Sequence, residues 1–160
     1  MWKELISVLM KILDVYKQLL ILSNEKRMVI VKVQMKELEK IVGQEQGMIA
    51  AIGKLEQQRE AALTALLAEE NISAPNQHLL DLVMFCDEKT GNKITELHQQ
   101  FKETLGALDE NNKMNNHLLT QALSVVNYNL NLLSETSVGP TYAQQGREQV
   151  SSVKRFDYKA

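Results

Sequence analysis

Apolar residues recur at steps of three and four along most of the chain, the spacing that keeps side chains on one face of a helix. The first such stretch predicts a helix over Trp2–Val31. Its stripe is Leu5, Leu9, Ile12, Tyr16 and Leu19, widened by Ile6, Leu13 and Leu20, with Lys3, Lys11, Asp14 and Lys17 on the outer side. A stripe that wide belongs to a helix with two neighbours. The second runs from Met35 to Glu70 with the seam Leu38, Ile41, Glu45, Met48, Ile52, Leu55, Arg59, Ala62 and Leu66. Alternating threes and fours over several heptads favour coiled-coil-like packing. Glu45 and Arg59 lie in that seam; either they fix register with partners on other helices or they reach past it to solvent.

The third stretch, Asn76 to Leu133, reads as one very long helix that organises the rest. Its seam is Leu79, Val83, Cys86, Thr90, Ile94, Leu97, Phe101, Thr104 and Leu108, continuing through Asn111, Asn115, Leu118, Ala122, Val125, Asn129 and Leu132. At roughly 1.5 Å per residue it would extend on the order of 85 Å. Gly91 and Gly106 weaken it by only about 1 kcal/mol each relative to alanine. Asn111, Asn112, Asn115 and Asn116 form a polar belt. The belt is either a loop that splits the segment in two or a polar layer within one helix, and the unbroken phase of the seam favours the layer.

Two boundaries separate these helices. Asn71–Asn76 contains Pro75, which disfavours helix in the residue before it, and Asn76 is placed to cap the helix that follows. Val29–Val33 is ambiguous: β-branched residues lower helix propensity, yet glycine and proline are missing. A tight hairpin is one reading; a continuous helix that pairs with a second copy as a domain swap is the other. The fold expected is all-α, an antiparallel bundle or coiled coil of three long helices over residues 1–134. A four-helix bundle split near Asn111 is the alternative. Residues 135–160 are expected to be a flexible, partner-binding tail.

That tail changes character at Ser134. Gly139-Pro140 stops helix propagation, and Gln144, Gln145, Gly146, Gln149, Ser151 and Ser152 are disorder-prone. Among them sit Tyr142, Val150, Val153, Phe156 and Tyr158. Spaced apolar residues in such a setting suit a segment that orders on a partner; a frayed terminus with incidental apolar residues is the plainer alternative.

Composition narrows the function. Aromatics at 5% against hydrophobics at 44% suit leucine-and-alanine helices better than a β-sandwich. A formal charge of -2 argues against nucleic-acid binding, which needs a basic face. The lone Cys86 excludes an internal disulfide and fits a reducing compartment, and its place in the seam suits a small core residue. Lys3, Glu4, Lys11, Asp14 and Lys17 interrupt the apolar N-terminus, so neither a membrane span nor a signal peptide is expected. Chemistry is sparse. His78, His98 and His117 have no partner at metal-ligand spacing, and glycine-rich phosphate loops and Ser/His/Asp arrangements are missing. His98 with Lys102 and Gly106 lacks the wider pattern of a phosphorelay histidine. Neither catalysis, a cofactor nor a metal site is expected.

Three features together carry a resemblance. One is Lys36-Glu-Leu-Glu-Lys-Ile-Val42, continuing through Glu45, Ile49 and Leu55-Glu56-Gln57-Gln58-Arg59. Another is the asparagine-spaced helix from Leu108 through Asn112 and Asn115 to Leu118-Leu119 and Ala122-Leu123. The last is Thr141-Tyr142, Gly146 and the ending Arg155-Phe156-Asp157-Tyr158-Lys159-Ala160. In these the chain resembles the FlgN-like flagellar export chaperones, small cytosolic helical proteins that escort hook-associated subunits to the type III export gate. It departs from them at Val33-Gln34, where members often carry a Gly-Asp or Asn-Asp turn. The resemblance implies that the tail, with the end of the long helix, holds the subunit. It also implies that a tyrosine near the end of that helix docks on the gate's cytoplasmic domain. Tyr128 lies in that region, with packing against the bundle as the alternative. The expected protein is cytoplasmic and free of cofactors, with a homodimer open. A structural coiled-coil or adaptor without chaperone activity is the competing function.

Overall fold

The structure is a computed structural model that describes residues 1–73 and 78–137. It contains three α-helices, α1 (Trp2–Val31), α2 (Met35–Glu69) and α3 (Glu88–Ser137), and a short 3-10 helix, Asp81–Phe85, before the last. Strands are missing among the described residues, so the fold is all-α as the periodicity predicts. The chain divides into two compact units, residues 1–123 and 124–160.

The first unit is an up-down-up bundle. Leu5, Leu9 and Leu13 of α1 share a core with Ala62, Leu63 and Leu66 at the far end of α2, while Lys26 near the end of α1 bonds Glu45 near the start of α2. Those pairings make α1 and α2 antiparallel. Bonds from Lys17 to Gln100 and from Asn115 to the Ser23 carbonyl ascend together in both chains, so α1 and α3 are parallel. Leu97 and Leu82 complete the core. The α2 seam lies inward at every position, and Glu45 meets Lys26 across the helices at 2.8 Å. Arg59 instead bonds Glu56 of its own helix at 2.6 Å.

The connection between α1 and α2 is the hairpin, with only Lys32, Val33 and Gln34 between the helices. It closes as a Schellman turn: the Gln34 amide donates to the Val29 carbonyl and the Val33 amide to the Ile30 carbonyl. That geometry puts Val33 at φ 55, in the left-handed region. Glycine is the usual occupant there, and for an L side chain the conformation costs roughly 1–2 kcal/mol. The end of α2 uses the same device more comfortably. Asn71 takes the left-handed position at φ 50, and the Ile72 amide reaches the Leu67 carbonyl.

The start of α3 differs from the expected one. The helix begins at Glu88 rather than near Asn76, which lies outside the described residues. Asp87 is its cap, accepting from the Thr90 amide at 3.3 Å and from the Thr90 hydroxyl at 2.5 Å. Leu79, Val83 and Cys86 therefore precede the helix instead of belonging to it. Leu82, at the heart of the 3-10 turn, is the residue buried there. Gly91 lets this segment approach: a Cβ at that position would meet Val83 Cγ1 at 3.1 Å.

From Ile94 to Asn115 the seam behaves as the spacing predicts. Ile94, Leu97, Thr104 and Asn115 are buried, and Phe101 packs edge-on against Tyr16 with ring centroids 6.3 Å apart. α3 passes through the asparagine belt without a break, so the split four-helix alternative does not apply. Of the belt, Asn111 and Asn115 form the polar layer, whereas Asn112 and Asn116 are exposed. Asn111 bonds the Ser23 hydroxyl and Asn24, Arg27 donates to Asn111, and Asn115 donates to the Ser23 carbonyl at 2.8 Å. These bonds fix the register of α3 on α1.

Candidate partner-binding surface

The described part of the second unit, residues 124–137, is the last stretch of α3. Its apolar side chains are Val125, Val126, Tyr128, Leu130, Leu132 and Leu133, and all six are exposed. On a 3.6-residue turn, Val125, Tyr128 and Leu132 form one stripe, and Val126, Leu130 and Leu133 form a second beside it. Asn129 lies between the two stripes, and Asn127, Asn131 and Ser134 occupy the remaining side. An arc that wide suits a helix with neighbours on two flanks. The seam reading put Val125 and Leu132 on a buried face; they are exposed instead. Periodicity records that a face is apolar, and it carries no information on whether the covering surface belongs to the same chain.

Charge adds a second signal, legible in the sequence but easily passed over. Between Lys113 and Glu135 the chain carries neither an acidic residue nor a lysine or arginine. Its polar positions are asparagine, serine, threonine, glutamine and His117, which accept burial against a partner at far lower cost than ions do. No helix among the described residues is long and apolar enough to cross a membrane.

Of the residues singled out from the sequence, Tyr128 sits on this face with 63% of its surface exposed. Tyr142, Val150, Val153, Phe156 and Tyr158 lie outside the described residues, as does the tail as a whole.

The first unit holds a different kind of concavity. A groove of about 400 Å3 is floored by Leu5, Leu9, Leu63 and Leu82 and walled by Phe101 and Leu105. Arg59, already paired with Glu56, stands at its edge with His98 and Lys102. His98 is half-buried there, whereas His78 and His117 are exposed, as surface histidines should be. Cys86 is half-buried, with its thiol donating to the Val83 carbonyl at 3.4 Å. Burial, reinforced by the Asp87 carboxylate, pushes the thiol pKa up, which disfavours the reactive thiolate. Among the described residues, His, Cys, Asp and Glu do not gather in threes that could hold a metal ion.

Against known proteins, the model of the family described as FlgN protein matches residues 1–149. A protein of Bacillus subtilis strain 168, named "Uncharacterized protein YvyG", is 27% identical over 166 residues, an alignment that covers 99% of this chain and 98% of the relative. No solved structure matches.

Proposed function

The chain belongs to the FlgN family of flagellar export chaperones, and on that premise we propose that it captures hook-associated subunits in the cytoplasm and delivers them to the type III export gate. The subunit is held by the exposed face of α3 between Val125 and Leu133 together with Tyr142, Val150, Val153, Phe156 and Tyr158 of the tail. Tyr128 serves the docking on the gate. The observation that supports this most is the uncharged, exposed apolar arc of residues 124–133.

The energetics say how such a surface must work. Burying one valine or leucine contributes about 1.5–3 kcal/mol. Association itself costs on the order of 4–15 kcal/mol in lost freedom. One or two side chains do not overcome that cost, so the arc has to be buried as a unit, with the tail extending it. An axial subunit whose helical ends are adhesive before assembly offers the complementary surface, and covering those ends prevents premature association. The bonded polar layer and the leucine core of residues 1–123 keep the chaperone folded while its far end is lent out.

Capture of purified hook-associated subunits, followed by pull-down and calorimetry, tests the proposal with two variants. One lacks residues 137–160. The other carries Val126→Glu with Leu130→Lys, an i,i+4 pair that removes two apolar side chains while supporting the helix. Each is expected to lose at least tenfold in affinity with helicity and thermal unfolding unchanged. Full affinity in both variants would overturn the assignment. A truncated chain that loses its fold would favour the structural coiled-coil reading instead.

A further inference from the structure

The three-residue connection between α1 and α2 works against its own sequence. Lys32, Val33 and Gln34 are all compatible with helix, yet Val33 is held at φ 55 in a turn that suits glycine. Gln34, the residue that caps α2, makes no side-chain hydrogen bond there. Straightening the connection would return Val33 to an ordinary helical conformation and give the first amides of α2 carbonyl partners one turn earlier.

The phase of the two seams fits a straight path. Ile30, buried at the end of α1, and Ile41, the first buried residue of α2, lie eleven residues apart. That spacing is about three helical turns, so on a continuous helix the two share a face. Gln34 and Leu38 fill the interval at steps of four, four and three, the rhythm of both seams. A hairpin places no demand on this phase; a through-going helix does. The turn also displays Met28, Val31, Val33 and Met35, all exposed, with Val33 at 58%.

We propose that the α1–α2 connection opens into one continuous helix and that two copies of the chain exchange α1, forming a domain-swapped dimer. Each α1 then packs on α2 and α3 of its partner copy. The Lys26–Glu45 pair, the Asn115–Ser23 bond and the Leu5–Leu66 core are all remade between copies, so the exchange itself changes few contacts. What changes is the hinge. The strain at Val33 is released in both copies, and the apolar tips meet where the two continuous helices cross. Short strained hinges invite this exchange. Because α1 must leave the core to swap, monomer and dimer interconvert slowly and equilibrate after partial unfolding. The inference is independent of which subunit the protein carries.

Light scattering on the full chain, refolded over a range of concentrations, reads the dimer; cross-linking reads its topology. Lys26→Cys with Glu45→Cys, in a Cys86→Ser background, places two thiols across the α1–α2 interface for a short bismaleimide. In the dimer fraction the swap predicts covalently linked pairs of chains under denaturing conditions. Val33→Gly, which relieves the strain without opening the hinge, is expected to weaken the dimer on the order of 100-fold. The proposal is overturned by a chain that stays monomeric after refolding at high concentration. It is equally overturned by a dimer whose cross-links all lie within single chains, or by a Val33→Gly dimer as tight as the original.

Discussion

Two stretches of α3 carry apolar side chains at the same three-and-four spacing and meet opposite fates. Between Ile94 and Asn115 the seam is covered by α1 and α2, and the outer face is stitched with charged and polar pairs. Lys93 bonds Glu96 at 2.9 Å, Lys113 bonds Asp109 at 2.6 Å and Gln99 bonds Glu103 at 2.7 Å. Between Ser124 and Leu133 the apolar arc is at least as broad, but it is exposed and that stretch carries no Asp, Glu, Lys or Arg. The difference teaches that a hydrophobic period marks a surface to be covered, while the charge on the other side tells whether water or a protein is the intended neighbour. Exposed lysine–glutamate pairs contribute little to stability. What they do is keep one face wet, and the second stretch dispenses with them.

The largest expected effect tests this contrast within one helix. Leu97 is 1% exposed and Leu130 is 57% exposed. Leu97→Ala should destabilise the protein by about 2–5 kcal/mol, the cost of a cavity in a closed core. Leu130→Ala should stay within about 0.5 kcal/mol of the unmodified chain. Urea unfolding of both measures the difference directly. Similar losses in the two variants would mean that residues 124–133 are covered in solution by the protein itself, and the comparison would collapse.

How much of this was legible depends on where the covering surface lies. The α2 seam was readable because its positions from Leu38 to Leu66 are all buried or half-buried in the bundle, although Arg59 pairs with Glu56 of its own helix. The polar belt was readable as a layer because Asn111 and Asn115 keep the phase of the seam. The start of α3 was not. Leu79, Val83 and Cys86 share helical spacing, but a 3-10 turn against the bundle uses those side chains equally well; the usable sign was Asp87 three residues before Thr90. The strained turn was hidden as well, since Val33 has none of the chemistry that announces a left-handed residue. For the candidate surface, the resemblance points to Tyr128 and the end of the long helix, while the seam spacing assigns Val125 and Leu132 to the bundle and passes over Val126, Leu130 and Leu133, because periodicity has no term that distinguishes one chain from two.

A smaller effect sharpens the comparison at the inner end of the seam. Asn115 is buried and donates to the Ser23 carbonyl, and its Oδ1 has no hydrogen-bond partner among the described residues. Asn115→Ala should cost about 1–3 kcal/mol, from the lost bond and the space left behind. Asn115→Leu removes the orphaned oxygen along with the bond and fills the space, so it should cost less than the alanine variant. Urea midpoints of the pair decide the matter. If leucine proves no better than alanine, filling the space recovers nothing, and the loss common to both variants, that of the bond to Ser23, accounts for the cost.

The smallest effect concerns where α3 begins, and it has a pH signature. The Thr90 hydroxyl, and after it the Thr90 amide, hold the Asp87 carboxyl below its ordinary range. The folded protein therefore binds a proton at Asp87 more weakly than the unfolded chain does. By linkage, the cap contributes fully at pH values above the unfolded carboxylate's pKa and is lost as pH falls through the lower, folded value. Asp87→Asn keeps a side-chain oxygen for the Thr90 amide but loses the charge and the second oxygen, the one that accepts from the Thr90 hydroxyl. Its deficit relative to the unmodified protein should thus be present at neutral pH and shrink on acidification through and below the normal carboxylate range. The Glu96 carboxyl is held down too, chiefly by the Lys93 ammonium, but it titrates alike in both proteins and cancels in the difference. Thermal midpoints of the two proteins across that acid range provide the measurement. A deficit that stayed constant with pH would assign the cap to hydrogen-bond geometry alone, leaving the negative charge at the helix N-terminus without effect.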